Sequence, residues 1–133
     1  MKLPKKSEYA CLTLIDLSQH YNEGYVRIEE ISKRKNIPKK YLEQILLLLQ
    51  IEGYLKTKKS MEGSYKLAKK PGKITIAEIV KLMDGALAAV GGVGRYFYEE
   101  TPIEQHKPLL DFFRDIRNYI AIKMETTTFA DLI

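Results

Sequence analysis

A mainly α-helical domain with a small β-hairpin and a long C-terminal helix is the fold this sequence predicts. Three observations predict it. Apolar residues recur at helical spacing through the first 84 residues and again after residue 104. Two short segments, 54–58 and 64–68, alternate apolar and polar residues around the polar stretch KSMEG. The chain has 133 residues, 45% of them hydrophobic, which suits one folded domain better than two.

The elements follow in order. Over residues 7–21, Ala10, Leu14 and Leu17 form an apolar stripe that Leu12 and Ile15 widen, and EGY at 23–25 breaks it. Residues 26–35 predict a short second helix with Ile28 and Ile31 facing inward, stopped at Asn36. Pro38 then stands where proline is favoured, in the first turn of a third helix. That helix carries Leu42, Ile45, Leu46 and Leu49 inward and ends near Gly53. The hairpin comes next, punctuated by Pro71-Gly72. Thr75 and Glu78 have capping-box spacing before a fourth helix whose apolar side is Ile76, Ile79, Val80 and Met83.

Residues 85–103 cluster glycine without a period and predict a linker; their GGVG lacks the GK[ST] of a phosphate loop. From 104 to 125 a long helix carries Leu109, Phe113, Ile116 and Ile120, flanked by Leu110, Phe112 and Tyr119. A stripe this broad predicts an intermolecular helix pair, with packing on its own domain as the alternative. The expected organisation is therefore 1–84, a linker and candidate effector region at 85–103, and a dimerisation helix with tail at 104–133.

Charge is distributed unevenly along this plan. The formal net charge is +5, but residues 1–70 carry fifteen Lys/Arg against eight Asp/Glu, net +7, while 71–133 carry seven against nine, net −2. Positive charge gathered at one end of a domain is the footprint of polyanion binding, which favours nucleic acid over a membrane. The densest run is KRKNIPKK at 33–40, with five cations in eight positions between two predicted helices. A helix, a tight turn and a second helix make a helix-turn-helix, in which the turn and the start of the second helix approach DNA. The hairpin after it is then the wing of a winged helix, tipped by Lys58 and Lys59.

Other classes fit less well. No stretch approaches the ~18 apolar residues of a membrane span and MKLPKKSEYA has no apolar signal core, so a cytoplasmic protein without membrane partners is expected. The single cysteine, Cys11, forms no intramolecular disulfide, and with only His20 and His106 beside it no metal-ligand spacing exists. No acid/base pair or nucleophile constellation suggests an enzyme. The rival to a DNA-binding protein is a winged-helix interaction or scaffold module without specific operator binding.

The runs EYACLTLIDLSQHYNEGYVRIEEISKRKNIPKKYLEQIL, GSYKLAKKP, ITIAEIVKLMDG and TTTFADL resemble the Rrf-two family of bacterial transcription regulators over nearly the entire chain. The resemblance implies a homodimeric winged-helix protein that binds double-stranded DNA, with repression the expected direction, and whose long C-terminal helices cross to form the dimer. It places the base-reading positions at Glu43 and Gln44, with Lys39, Lys40 and Tyr41 beside them; both reading side chains suit major-groove edges. Two departures stand out. The position of the family's wing arginine is Lys59, followed by Ser60, and Glu62 lies near it. Cluster-binding relatives carry three cysteines in the segment corresponding to 85–106, and this chain has none there. His106 stands near a fourth-ligand position of some relatives, and one histidine holds no cluster. The resemblance thus implies a clusterless branch with no iron–sulfur cofactor. The remaining inputs are a metabolite at the patch of Arg95, Tyr96, Phe97 and Tyr98, a partner protein, or the thiol state of Cys11, for which a structural role is favoured.

Overall fold

The computed structural model describes residues 2–84 and 102–133. Its elements are α1 (Lys5–Gln19), β1 (Val26–Arg27), α2 (Ile28–Lys35), α3 (Lys39–Ile51), β2 (Leu55–Thr57), β3 (Ser64–Leu67), α4 (Ile76–Asp84) and α5 (Lys107–Thr126). Single 3-10 turns occupy Lys59–Met61, Pro71–Lys73, Pro102–Gln105 and Phe129–Leu132. A mainly helical domain with a hairpin wing and a long last helix is thus observed.

The second helix differs from expectation at its start. It begins at Ile28, because Val26 and Arg27 pair antiparallel with Tyr65 and Ser64 of β3. The sheet therefore has three strands in the order β1-β3-β2. Pairing satisfies backbone groups along an edge that a lone hairpin leaves open, and it buries the β-branched Val26. The next amide continues the tie, since the Ile28 N–H donates to the Gly63 carbonyl at 2.9 Å. The strands are shorter than the alternation suggested: Leu55 faces Leu67, and Thr57 faces Tyr65. Between them the chain turns through Lys59–Met61 and reverses at Gly63, whose φ of +75° suits glycine.

The predicted inward residues form the core. Ala10, Leu14 and Leu17 of α1, Ile31 of α2, the four apolar positions of α3, and Ile79 and Met83 of α4 are buried together. α1 lies along α4, α2 and α3, and the Ser7 hydroxyl donates to the Asp84 carboxylate at the end of α4. The expected capping box is formed. The Thr75 N–H donates to Glu78 Oε2 at 2.8 Å, and the Glu78 N–H donates to Thr75 Oγ1 at 3.2 Å. The Tyr54 hydroxyl, just before β2, donates to Glu78 Oε1 at 2.7 Å, while the Lys69 ammonium lies 4.5 Å from the Tyr54 ring centroid. Burial pushes the Glu78 carboxyl up, but the donors from Thr75 and Tyr54, with Lys69 nearby, hold it below its usual range.

The C-terminal seven residues return to this core. Phe129 is fully buried among the winged-helix residues, and its N–H donates to the Ile74 carbonyl at 3.1 Å. The Ile76 N–H donates to the Thr127 carbonyl at 3.0 Å, and Thr75 and Thr128 form a β-bridge.

α5 starts at Lys107, three residues after the predicted start, because residues 102–105 form a 3-10 turn and His106 is the N-cap. Its Nδ1 accepts the Leu109 N–H at 3.3 Å. Of the expected stripe, Leu109 is exposed, while Phe113, Ile116 and Ile120 are half-buried and their neighbour Leu110 is buried. α5 packs along α4, and its exposed large apolar residues are Leu109, Phe112, Tyr119 and Ile122. The predicted linker falls outside the described residues from 85 to 101, and with it Arg95, Tyr96 and Tyr98 of the candidate effector patch.

Candidate nucleic-acid interface

The turn between α2 and α3 is fixed by its own residues. Asn36 takes the left-handed conformation that ends a helix, with φ 54° and ψ 48°. Ile37 is buried beneath it, and its N–H donates to the Ser32 carbonyl at 3.1 Å. The Ser32 hydroxyl donates to the Ile37 carbonyl at 2.6 Å. Pro38 is the N-cap, one position before its predicted place in the first turn. It caps with no side chain, and the first turn of α3 holds no acidic residue. The leading N–H groups of α3 therefore lie at the positive end of the helix with Lys39 and Lys40 beside them, an arrangement that favours phosphate.

The five cations of KRKNIPKK are not equivalent. Arg34 donates from Nε to Asp16 Oδ1 at 2.8 Å and from Nη2 to Asp16 Oδ2 at 3.0 Å. The Asp16 side chain is 1% exposed and that of Arg34 37%. Arg34 therefore neutralises a carboxylate buried in α1, and that hydrogen bond raises its already high pKa. Lys35 reaches Gln19 at 3.5 Å, and Lys39 reaches Glu29 at 4.0 Å, a weak exposed pair. Lys33 and Lys40 are exposed.

Glu43 and Gln44 are exposed on α3, on the side away from Leu42, Ile45, Leu46 and Leu49. Tyr41, placed beside them in sequence, is half-buried instead, its ring edge-on to Tyr9 at 5.1 Å between centroids. Glu43 lies close enough to the wing strand that, after burial, its charge helps to raise the Tyr65 hydroxyl pKa. α3 also packs against β2, so the wing and α3 adjoin. In the wing, Lys59 is exposed, while the Lys58 and Lys66 ammonium groups lie 5.9 and 5.0 Å from the Tyr25 ring centroid. Lys58 and Lys59 line an open hollow of about 390 Å³ with Thr57, Glu62, Gly63 and Tyr65. Glu62 thus shares the hollow with both lysines.

Two contributors escaped the sequence reading. Asp16 was legible in part, as a carboxylate within an apolar stripe between Leu14 and Leu17, which signals a buried partner. Tyr25 carried no signal, since its contacts come from Lys58 and Lys66 of the wing, distant in sequence.

The family model Rrf2, described as an iron-dependent transcriptional regulator, matches residues 3–133. The HTH-type transcriptional regulator CymR of Bacillus subtilis is 26% identical over 132 residues, covering 99% of this chain and 89% of that one. IscR of Xenorhabdus nematophila is 32% identical over 95 residues, 71% of this chain and 58% of that one. The crystal structure of oxidized Staphylococcus aureus CymR shares the fold, with a TM-score of 0.77 at 21% identity over 99% of this chain and 95% of that one. Among the described residues no helix is long and apolar enough to cross a membrane. With a helix-turn-helix, an adjoining wing and a family match from end to end, the scaffold reading is not favoured: the chain belongs to the Rrf2 family, and it is a DNA-binding transcriptional regulator, not an enzyme.

Proposed function

We propose that this regulator reads its operator with Glu43 and Gln44 in the major groove, while the N-terminus of α3, Lys39 and Lys40 hold phosphates. Lys58 and Lys59 add wing contacts. The observation that carries this reading is the exposed polar face of α3 behind an uncapped, acid-free first turn. Lysine at the wing tip keeps charge without the planar fork of arginine, and Glu62 opposes it, so the wing contributes affinity more than sequence reading. Titrations of variants against operator and random duplexes at several salt concentrations test the roles. Lys40→Ala is expected to weaken binding on all sequences alike and to flatten the log–log salt dependence by roughly one phosphate per protomer. Gln44→Ala is expected to cost about 1–3 kcal/mol on the operator and little on random DNA. A changed sequence preference in Lys40→Ala with an intact salt slope would reverse these assignments.

The proposed active species is a homodimer in the cytoplasm, joined through α5. What supports it is the exposed apolar line of Leu109, Phe112, Tyr119 and Ile122, with the half-buried Phe113, Ile116 and Ile120 beside it. An isologous interface contains each side chain twice, so Phe112→Asp is expected to cost about 3–6 kcal/mol of dimer stability. Sedimentation should then show monomer or aggregate; a wild-type monomer at micromolar concentration contradicts the proposal. Repression is the proposed direction, since a dimer seated on a promoter excludes polymerase without any further contact.

The family is described as iron-dependent, but this chain lacks the cysteines that an iron–sulfur cluster needs. Cys11 is its only cysteine, packed against the core, and burial pushes its thiol up to about 11. A cluster is held by several thiolates. Among the described residues no three His, Cys, Asp or Glu side chains gather as metal ligands. The proposed signal is therefore a metabolite or a partner protein, and the protonated thiol at neutral pH weighs against a redox input through Cys11. Protein purified without oxygen is expected to be colourless; iron and sulfide analysis finding one cluster per protomer would contradict this.

A further inference from the structure

α3 presents an exposed apolar line that neither the core nor the polar reading residues explain. Leu47 is 56% exposed and Ile51 is 69% exposed. At 100° per residue, Leu47 projects between Glu43 and Gln44 when α3 is viewed down its axis, opposite the face made by Leu42, Ile45, Leu46 and Leu49. Lys40 lies on the same line two turns earlier, nearer the helix N-terminus. The rise from Glu43 and Gln44 to Leu47 is about 4.5–6 Å, one to two base steps at ~3.4 Å each.

We propose that Leu47 is a specificity determinant that packs against a thymine methyl group one or two base pairs beyond the pair met by Gln44. The inference deepens, and rests on, the operator reading proposed for α3. A leucine in the middle of a face bounded by Lys40, Glu43 and Gln44 enters the groove whenever those residues do. Among base edges in the major groove the apolar feature offered is the C5 methyl of thymine, and leucine has no group that hydrogen-bonds the other edges. Ile51 lies one turn further along, next to Gln50, whose side chain reaches Thr57 of the wing at 3.4 Å. It is therefore placed toward the wing end of the helix, away from the N-terminal turns that lead into the groove.

The test uses the full chain and an operator selected from random duplexes. Each thymine is replaced singly by deoxyuridine, which removes the methyl and leaves every hydrogen-bonding group. At one position in each half-site the replacement is expected to weaken wild-type binding about fourfold, the ratio that burial of one methyl-sized group yields. Leu47→Ala should bind the thymine and uracil duplexes equally, while Ile51→Ala keeps the preference. Because Leu47 is exposed, thermal melting of Leu47→Ala should match wild type, which separates loss of reading from loss of fold. An operator indifferent to every replacement overturns the proposal, and so does discrimination that survives in Leu47→Ala or vanishes in Ile51→Ala instead. Enrichment of no sequence at all overturns the operator-reading role of α3 and this inference with it. An operator sensitive to Gln44→Ala but blind to thymine methyls overturns only the role of Leu47.

Discussion

Phe129→Ala is expected to lower the stability of the whole chain by about 3–5 kcal/mol, the range for truncating a fully buried aromatic side chain. The residue lies four positions before Ile133, yet no part of it is exposed, and it shares a core with α1, α3 and α4. Its neighbours bind the segment locally as well. Thr128 donates from its N–H to Asp131 at 2.9 Å and from its hydroxyl at 3.1 Å, closing the 3-10 turn that carries Phe129. Two backbone hydrogen bonds then fasten the segment to residues 74 and 76. A domain of this size is stable by only about 5–15 kcal/mol, so a large share would be lost. Urea denaturation gives the measurement, with Ile133→Ala, exposed at the end of the same segment, as the comparison expected to change little. A loss below about 1 kcal/mol would show that the segment is dispensable to the core. The same contacts join the segment after α5, the proposed dimer helix, to the residues that open α4 and so tie it to the winged-helix core.

Arg34→Ala is expected to destabilise the fold of the protomer by about 3 kcal/mol, because it strands the buried Asp16 carboxylate without its cation. The value is taken at the low end of the range for broken buried pairs, since the guanidinium itself is 37% exposed. Arg34→Lys should recover only part of the loss, because an ammonium group does not reproduce the two-point contact of Nε and Nη2. Chemical denaturation of the variants measures this, and DNA titration separates the two roles available to the residue. Measured where the variant is folded, the salt slope of Arg34→Ala should match wild type, unlike that of Lys40→Ala. A flattened slope with unchanged stability would make Arg34 a phosphate contact and refute its assignment to the fold.

These two residues mark the limits of sequence reading in this chain. KRKNIPKK reads as one basic cluster because charge is additive along a string, yet one of its five cations faces inward onto a carboxylate eighteen residues earlier. The run TTTFADL reads as a tail because it is short and follows the long helix, and its one aromatic residue gives no sign of where it packs. The α5 stripe was legible as apolar, but periodicity alone did not say that Phe113, Ile116 and Ile120 would be half-buried while Phe112, Tyr119 and Ile122 face outward.

By itself the sequence determined the features whose causes lie within a turn or two of chain. The inward faces of α1, α3 and α4 follow from helical spacing, and the Thr75–Glu78 box from residues three apart. The stop at Asn36 follows from a residue type that tolerates positive φ. Together with the wing hairpin these are enough to specify a helix-turn-helix and the exposed polar face of α3. Only the tertiary structure decided that Val26 and Arg27 form a strand, that Arg34 is an internal ion-pair partner, that Phe129 completes the core and which side of α5 faces outward. Each of these depends on a partner distant in sequence, and the local hydrophobic pattern that sets an element's inward face does not encode which other element it will meet there.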